Sequence, residues 1–261
     1  ASGANTVTLT ITDSTEGAYV CTITFTDSAG NAASALTLTS FTIDTSVATP
    51  SETTAVSTPT KDTSPDVVIT TTQAGTIVVA GTTGCAIGSA NVVSGQQTLT
   101  LTTITAGDGA YVCTITFTDS AGNAASALTL TSFTLDTTVA TPSETTVVST
   151  PTNDATPDVV ITTTEAGTIA VAGTSGCGLS STATMTSGAN TVTLTITDST
   201  EGAYVCTITF TDTATNAASA LTLTSFTLDT SVATPSETTA VSTPTNDATP
   251  DVVITTTQAG T

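Results

Sequence analysis

Apolar and polar residues alternate along most of this chain. In YVCTITFTD (111–119), Tyr111, Cys113, Ile115 and Phe117 fall on one side, and Val112, Thr114, Thr116 and Thr118 on the other. TVTLTIT (191–197) sets Val192, Leu194 and Ile196 against four threonines. A period of two is the strand signature. One apolar face per strand predicts antiparallel sheets with a single buried side. In LTLTSFTLD (128–136) the phase slips, because Leu128 and Leu130 are followed by Phe133 and Leu135. One extra residue there predicts a bulge near Thr131–Ser132.

The pattern predicts strands near 51–58, 66–72, 76–81, 90–94, 97–104, 110–118 and 125–136, separated by TPTKDTSP, QAG, TTG, SGQ, AGDG and SAGN. Gly, Pro, Asn and Asp in these separators favour turns. No stretch reads as a helix of useful length. Seven short strands in roughly this span predict an all-β fold of immunoglobulin-like β-sandwiches. Every proline precedes the second strand of its repeat (Pro50, Pro59 and Pro65 in one copy). Proline is tolerated at a sheet edge and blunts it against aggregation, so the strand near 51–58 is expected to be an edge.

The chain repeats itself. GAYVCTITFTDSAGNAASALTLTSFT stands at 17–42 and again at 109–134, and returns at 202–227 with Thr213 and Thr215 as the two changes. PDVVITTT begins at Pro65, Pro157 and Pro250. The spacing of 92 and then 93 residues is the size of a small domain, too long for a solenoid rung. The expected division is the later part of a repeat at 1–45, whole repeats at 46–137 and 138–230, and the opening part of another at 231–261. Half a sandwich cannot bury its face. The chain is therefore expected to belong to a longer array; the alternative is that half-repeats complete one another between subunits. The cysteines follow the repeat: Cys85 is set to pair with Cys113 and Cys177 with Cys206, while Cys21 has its expected partner upstream. Such bridges persist outside a reducing cytosol. Buried free thiols are the alternative, and metal ligation by two lone cysteines without His is weaker still.

TPTNDATPDVVI, TDSAGNAAS and FTLDTT, in that order in each repeat, resemble the tandem bacterial immunoglobulin-like (Big-type) domains of large surface proteins, adhesins and extracellular fibres. The resemblance covers essentially all of both whole repeats. It implies a structural region whose partners are neighbouring repeats or other copies of the chain. Many members of that family have no cysteine, so the bridge is a local elaboration. TDTATN (211–216) departs from TDSAGN, so the glycine of that turn is not obligatory. GDGAYVC (107–113) also resembles the antibody-domain strand in which Tyr precedes Cys by two residues and forms a corner hydrogen bond. Its core Trp is missing here, and Cys85 follows the third predicted strand rather than the second. That strand's end meets the start of the strand carrying Cys113, so the bridge is geometrically reasonable. It would contribute about 3 kcal/mol if unstrained.

Composition narrows the function. Of 261 residues, 75 are Thr, 21 are acidic and one is basic, with no His or Trp and a net charge of −20. Nucleic acid and anionic membrane both require Lys and Arg, so neither is an expected partner. No apolar run reaches the length of a membrane span. Catalysis lacks a His base, an activated Ser or Thr and a phosphate loop, so no enzyme is expected. Isopeptide stapling would need a Lys in every repeat, but Asn153 and Asn246 stand where Lys61 does. N-glycosylation has no Asn-x-Ser/Thr site. No cofactor is required, and calcium is the one candidate. Asp62, Asp66, Asp108 and Asp136 would gather at the trailing end of one repeat, and Glu144, Asp212 and Asn216 at the leading end of the next. The plainer reading is that these residues start turns. Ordering of ice by the T-x-T rows fits a twisted sandwich poorly. The expectation is an extracellular, cell-surface, protease-resistant stalk or fibre, with a self-assembling filament or surface-layer subunit as the alternative and a carbohydrate-binding module as a weaker one.

Overall fold

The computed structural model describes residues 3–13, 15–79, 84–87, 90–102, 107–171, 176–180, 183–198 and 200–260. The ends of two predicted strands, 80–81 and 103–104, lie outside the described residues. The chain divides into two compact units, Ala1–Thr137 and Thr138–Thr261.

In the first unit, β1 (Gly17–Tyr19) pairs with β4 (Phe41–Ile43), and β2 (Thr22–Ile23) with β3 (Leu36–Thr37). There follow β5 (Ser51–Thr54), β6 (Asp66–Thr71), β7 (Gly75–Val79), β8 (Ala90–Val92), β9 (Gly95–Thr100), β10 (Gly109–Tyr111), β11 (Thr114–Asp119), β12 (Leu128–Thr129) and β13 (Phe133–Leu135). They form one sheet ordered β5-β6-β9, a second ordered β12-β11-β7-β8, and a ladder of β10 with β13. The proline-flanked strand β5 is an edge, as expected. The short β8 joins β7, whereas the constant-type immunoglobulin arrangement places its fourth strand with the other sheet.

Alternation puts Val67 and Ile69 of β6 opposite Ile77 of β7 and Ile115 and Phe117 of β11, all essentially inaccessible to water. Each such side chain contributes about 1.5–3 kcal/mol by burial. Two strands read as continuous are each divided. The inward face of 111–117 is unbroken, but the ladder partner changes at Val112–Cys113: β10 pairs with β13, and β11 pairs with β7 and β12. The last strand breaks between β12 and β13, at the site of the phase slip. Leu130, Phe133 and Leu135 are all buried, so the extra residue restores the apolar face. Thr131 in that break donates its amide and hydroxyl to Glu52 Oε2, each at 2.8 Å.

The second unit repeats this plan with β14 (Ser143–Thr146), β15 (Asp158–Thr163), β16 (Gly167–Val171), β17 (Cys177–Leu179), β18 (Ala183–Met185), β19 (Gly188–Ile196), β20 (Gly202–Tyr204), β21 (Thr207–Asp212), β22 (Leu221–Thr222) and β23 (Phe226–Leu228). Its sheets run β14-β15-β19-β17 and β18-β16-β21-β22. Strand β17 is an addition, since its counterpart in the first unit is a single bridge between Ala86 and Thr102. Beyond the core, β24 (Ser236–Thr239) pairs with β25 (Val253–Thr255).

Two backbone positions are exacting. A Cβ on Gly75 would lie 2.2 Å from the Thr118 carbonyl oxygen, and one on Gly167 2.3 Å from that of Thr211, so only glycine lets β7 and β16 approach their neighbours. In the DSAGN turn, Gly122 has φ +96°, and Thr215 occupies the matching place at φ 70°. The turn survives without glycine, but a β-branched residue is costly in the left-handed region. Replacing Thr215 by Gly should stabilise the second unit by about 1 kcal/mol, and Gly122→Thr should destabilise the first by a similar amount. Urea unfolding followed by circular dichroism reads both.

Candidate functional site

The residues around Cys113 converge on the point where its strand changes partner. Cys113 is buried and bonded to Cys85 with Cα atoms 5.8 Å apart, and its carbonyl accepts the amide of Leu130 at 2.8 Å. Cys206 is bonded to Cys177 at the same Cα separation and accepts the amide of Leu223 at 2.8 Å. Two residues earlier, the Tyr111 ring stacks on Phe133 at 5.7 Å, and its hydroxyl donates to the Gly107 carbonyl at 2.5 Å. The expected corner bond is therefore formed. Tyr204 stacks on Phe226, and its hydroxyl lies 2.5 Å from the Thr200 carbonyl and 2.6 Å from Asp198 Oδ1, sharing one proton between them. That hydrogen bond holds the Asp198 carboxyl below the usual aspartate range and pushes the Tyr204 phenol up. Cys21, the cysteine without a bridge in this chain, is half-buried.

A second constellation holds the segments that follow β4, β13 and β23. In the first unit, Glu16 Oε1 accepts the amide and hydroxyl of Thr45, both at 2.9 Å, and its Oε2 accepts the Ser46 hydroxyl at 3.0 Å. From the following repeat, Gln73 Nε2 donates to Asp44 Oδ2 and to the Ser46 carbonyl, at 3.4 and 3.3 Å. Asn123 Nδ2 donates to the Asp44 carbonyl at 3.0 Å, while Asp119 holds Asn123 in place. Three linker residues are thus gripped from both sides. Hydrogen bonds from the Thr45 hydroxyl lower the Glu16 carboxyl, and those from the Asn123 side chain lower Asp119.

The second unit repeats the clamp at its far linker. Glu201 accepts from Thr230 and Ser231, and Gln258 donates to Asp229 and the Ser231 carbonyl while accepting the Ala233 amide. The linker after β13 has different holders. Within the first unit, Asp108 Oδ1 accepts the Thr137 amide and hydroxyl at 2.8 and 2.7 Å. Within the second, Asn216 Nδ2 donates to the Thr138 carbonyl and Glu165 Oε2 accepts the Ala140 amide.

The proposed calcium ligands have these local partners. Asp62 accepts from Ser64 and starts a turn, and Asp66 Oδ1 accepts the Thr100 hydroxyl at 2.6 Å. Asp136 follows β13 and donates its amide to Thr60. Glu144 Oε2 accepts the Thr224 amide and hydroxyl at 2.7 Å, the counterpart of Glu52 at the bulge. Asp212 accepts the Asn216 amide and side chain. Among the described residues, no three or more carboxylate or cysteine side chains gather as a metal group. Sequence reasoning missed Glu52 as a bulge cap and Glu16, Gln73, Glu201 and Gln258 as clamp residues. The available signal was an acid or amide returning at matching places in each repeat.

No family model matches the chain, and no curated protein matches it either. Solved structures similar to it include the fibronectin(III)-like modules of Clostridium thermocellum CbhA, at 12% identity and TM-score 0.40 over 69% of this chain and 94% of that one. The D00-D0 domain of intimin is similar at 16% identity and TM-score 0.30, over 69% of this chain and all of its own. A Bacteroides ovatus mixed-linkage glucan utilization locus protein, SGBP-B, in complex with a mixed-linkage heptasaccharide, is similar at 15% identity and TM-score 0.21, over 85% of this chain and 54% of that one. These scores are low, and the immunoglobulin-like reading rests on the sheets and registers described above.

Tyr204→Phe removes the only proton the corner can donate, and should cost the second unit about 1–2 kcal/mol. Carboxyl NMR should then find Asp198 titrating closer to its ordinary range. The sign of the acid effect follows from the lowered carboxyls. Asp119 and Asp198 stabilise the folded state fully above the unfolded aspartate value of about 3.9, and this is lost as pH falls through their lower folded values. Asp119→Asn should therefore flatten the acid limb of the first unit's stability curve, read by thermal melts between neutral pH and acid.

Proposed function

We propose that this chain is a structural stretch of a bacterial cell-surface or extracellular protein, built of Big-type immunoglobulin-like repeats and acting as a tension-bearing stalk. The observation that carries the reading is the linker clamp. Glu16 grips residues 45–46 from the repeat they leave, while Gln73 and Asn123 grip residues 44–46 from the repeat they enter. A segment held at both ends resists bending in a way a bare linker does not. Supporting it, each of the two complete cores carries a disulfide, which suits an oxidising location. With one Lys and no Arg, trypsin-like proteases have almost nothing to cut. The net charge of −20 keeps neighbouring stalks apart. A carbohydrate-binding role fits less well, because Tyr111 and Tyr204 are buried in their corners rather than displayed as stacking platforms.

Pulling single molecules from their ends tests this. Each bridge encloses a separation of 28 or 29 residues that cannot extend while oxidised. At about 3.5 Å per residue, reduction should lengthen each unfolding step by roughly 100 Å. Two uniform steps, each lengthened in this way and each needing substantial force, are the expected record. Extension without resolved force peaks would overturn a tension-bearing role.

A further inference from the structure

Residues 231–260 present an apolar face with nothing of the chain's own repeat upon it. Val252 and Ile254 are 51% and 58% exposed, whereas their counterparts Val159 and Ile161 are fully buried. At the other end, residues 4–11 lie in no strand, although the same sequence at 189–196 belongs to the nine-residue β19. Val7 and Phe25 are 64% and 69% exposed, against 2% and 0% for their counterparts Val192 and Phe210.

The complete repeat states what covers each face. DVVITT at 158–163 is letter for letter the sequence at 251–256, and GANTVTLTITD at 188–198 is that at 3–13. In the second unit these two stretches pair antiparallel, with Val159 opposite Val192 and Asp158 opposite Thr193. Residues 231–260 correspond to 138–167 and residues 3–43 to 188–228, so the two segments duplicate no strand of a repeat. Residues 3–12 carry no charge, and Asp251 has a ready donor in Thr8, as Asp158 has in the Thr193 hydroxyl at 2.6 Å. An open strand edge with an apolar face is a template for an added strand.

We propose that residues 231–260 of one molecule receive residues 3–43 of a second copy, in the register Val252 opposite Val7 and Asp251 opposite Thr8. The contact is heterologous, so it adds molecules head to tail. It deepens the stalk reading by supplying a route from one chain to a fibre, and does not depend on that reading, because the clamp and the bridges lie within single units.

Sedimentation of the 261-residue chain over a wide concentration series should show chains growing with concentration. Ile254→Asp and Val7→Asp should each weaken self-association at least about tenfold. Mixed together, they should form dimers and nothing longer, since each retains one working end. Both positions lie outside the two closed cores, so an unchanged melting curve certifies folding. As an independent measure, in a Cys21→Ser background, a Val252→Cys chain mixed with a Val7→Cys chain should cross-link on oxidation, and a Val253→Cys chain should not. A monomer at every concentration overturns the proposal. So does equal cross-linking at 253, or a bond closing within one molecule when both cysteines share a chain. The pulling experiment is indifferent to these outcomes, so the stalk and the head-to-tail contact fail separately.

Discussion

A strand that must serve two ladders is the constraint on which each repeat depends. Between Tyr111 and Cys113 the chain leaves β13 and joins β7 and β12. Such a change leaves backbone groups to satisfy and a bend to hold. The disulfide pins the far side of the bend, the tyrosine hydroxyl pins the loop before it, and Leu130 donates to the Cys113 carbonyl at the turn itself. The companion strand must break too, and its extra residue is capped by Glu52. The bulge, bridge, corner and cap are four answers to one geometric demand, repeated with little change in the second unit.

The carboxylates show how a chain with almost no cations uses acidic residues. Glu16, Glu52, Asp108, Glu144 and Glu201 each accept both the amide and the hydroxyl of a single threonine. Hydrogen bonds to an ionised acceptor are stronger than neutral ones and fix geometry as well as energy. Threonine is suited to this, because its backbone belongs to an extended segment and its hydroxyl lies beside its own amide. The abundance of Thr thus serves two needs: a pleated outer face for the sheets, and paired donors for the bulges and linkers. Bonds of this kind should respond less to salt than surface ion pairs do, since they do not depend on a mobile countercharge.

The clamp gives the linkers their physical character. A short segment ending in Ser or Thr would ordinarily be a hinge. Here its amides, carbonyls and hydroxyls are engaged by Glu16 on one side and by Gln73 and Asn123 on the other. The linker after β13 differs by single side chains, with Asp108 in place of Glu and Glu165 in place of Gln. A carboxylate at 165 can only accept, whereas Gln73 donates twice. The same clamp is therefore written with a different donor set at that linker.

The strands, their inward faces, the phase slip at Thr131–Ser132, the repeat boundaries and the cysteine pairs were all legible in the sequence, because each is a local or periodic property. Alternation at 111–117 reports which side of a strand meets the core, and a repeated chain shows each pairing twice. Partners were not legible. Nothing in YVCTITFTD says that its first three residues and its last six belong to different ladders, because the apolar face is continuous through the change. The acids were read as a cation site because composition reveals charge, not which amide lies within reach. Glu52 meets Thr131, and Gln73 meets Asp44, only after the chain has folded across many tens of residues. Periodicity determines which face of a strand is buried; only the tertiary fold decides which donor each acceptor finds.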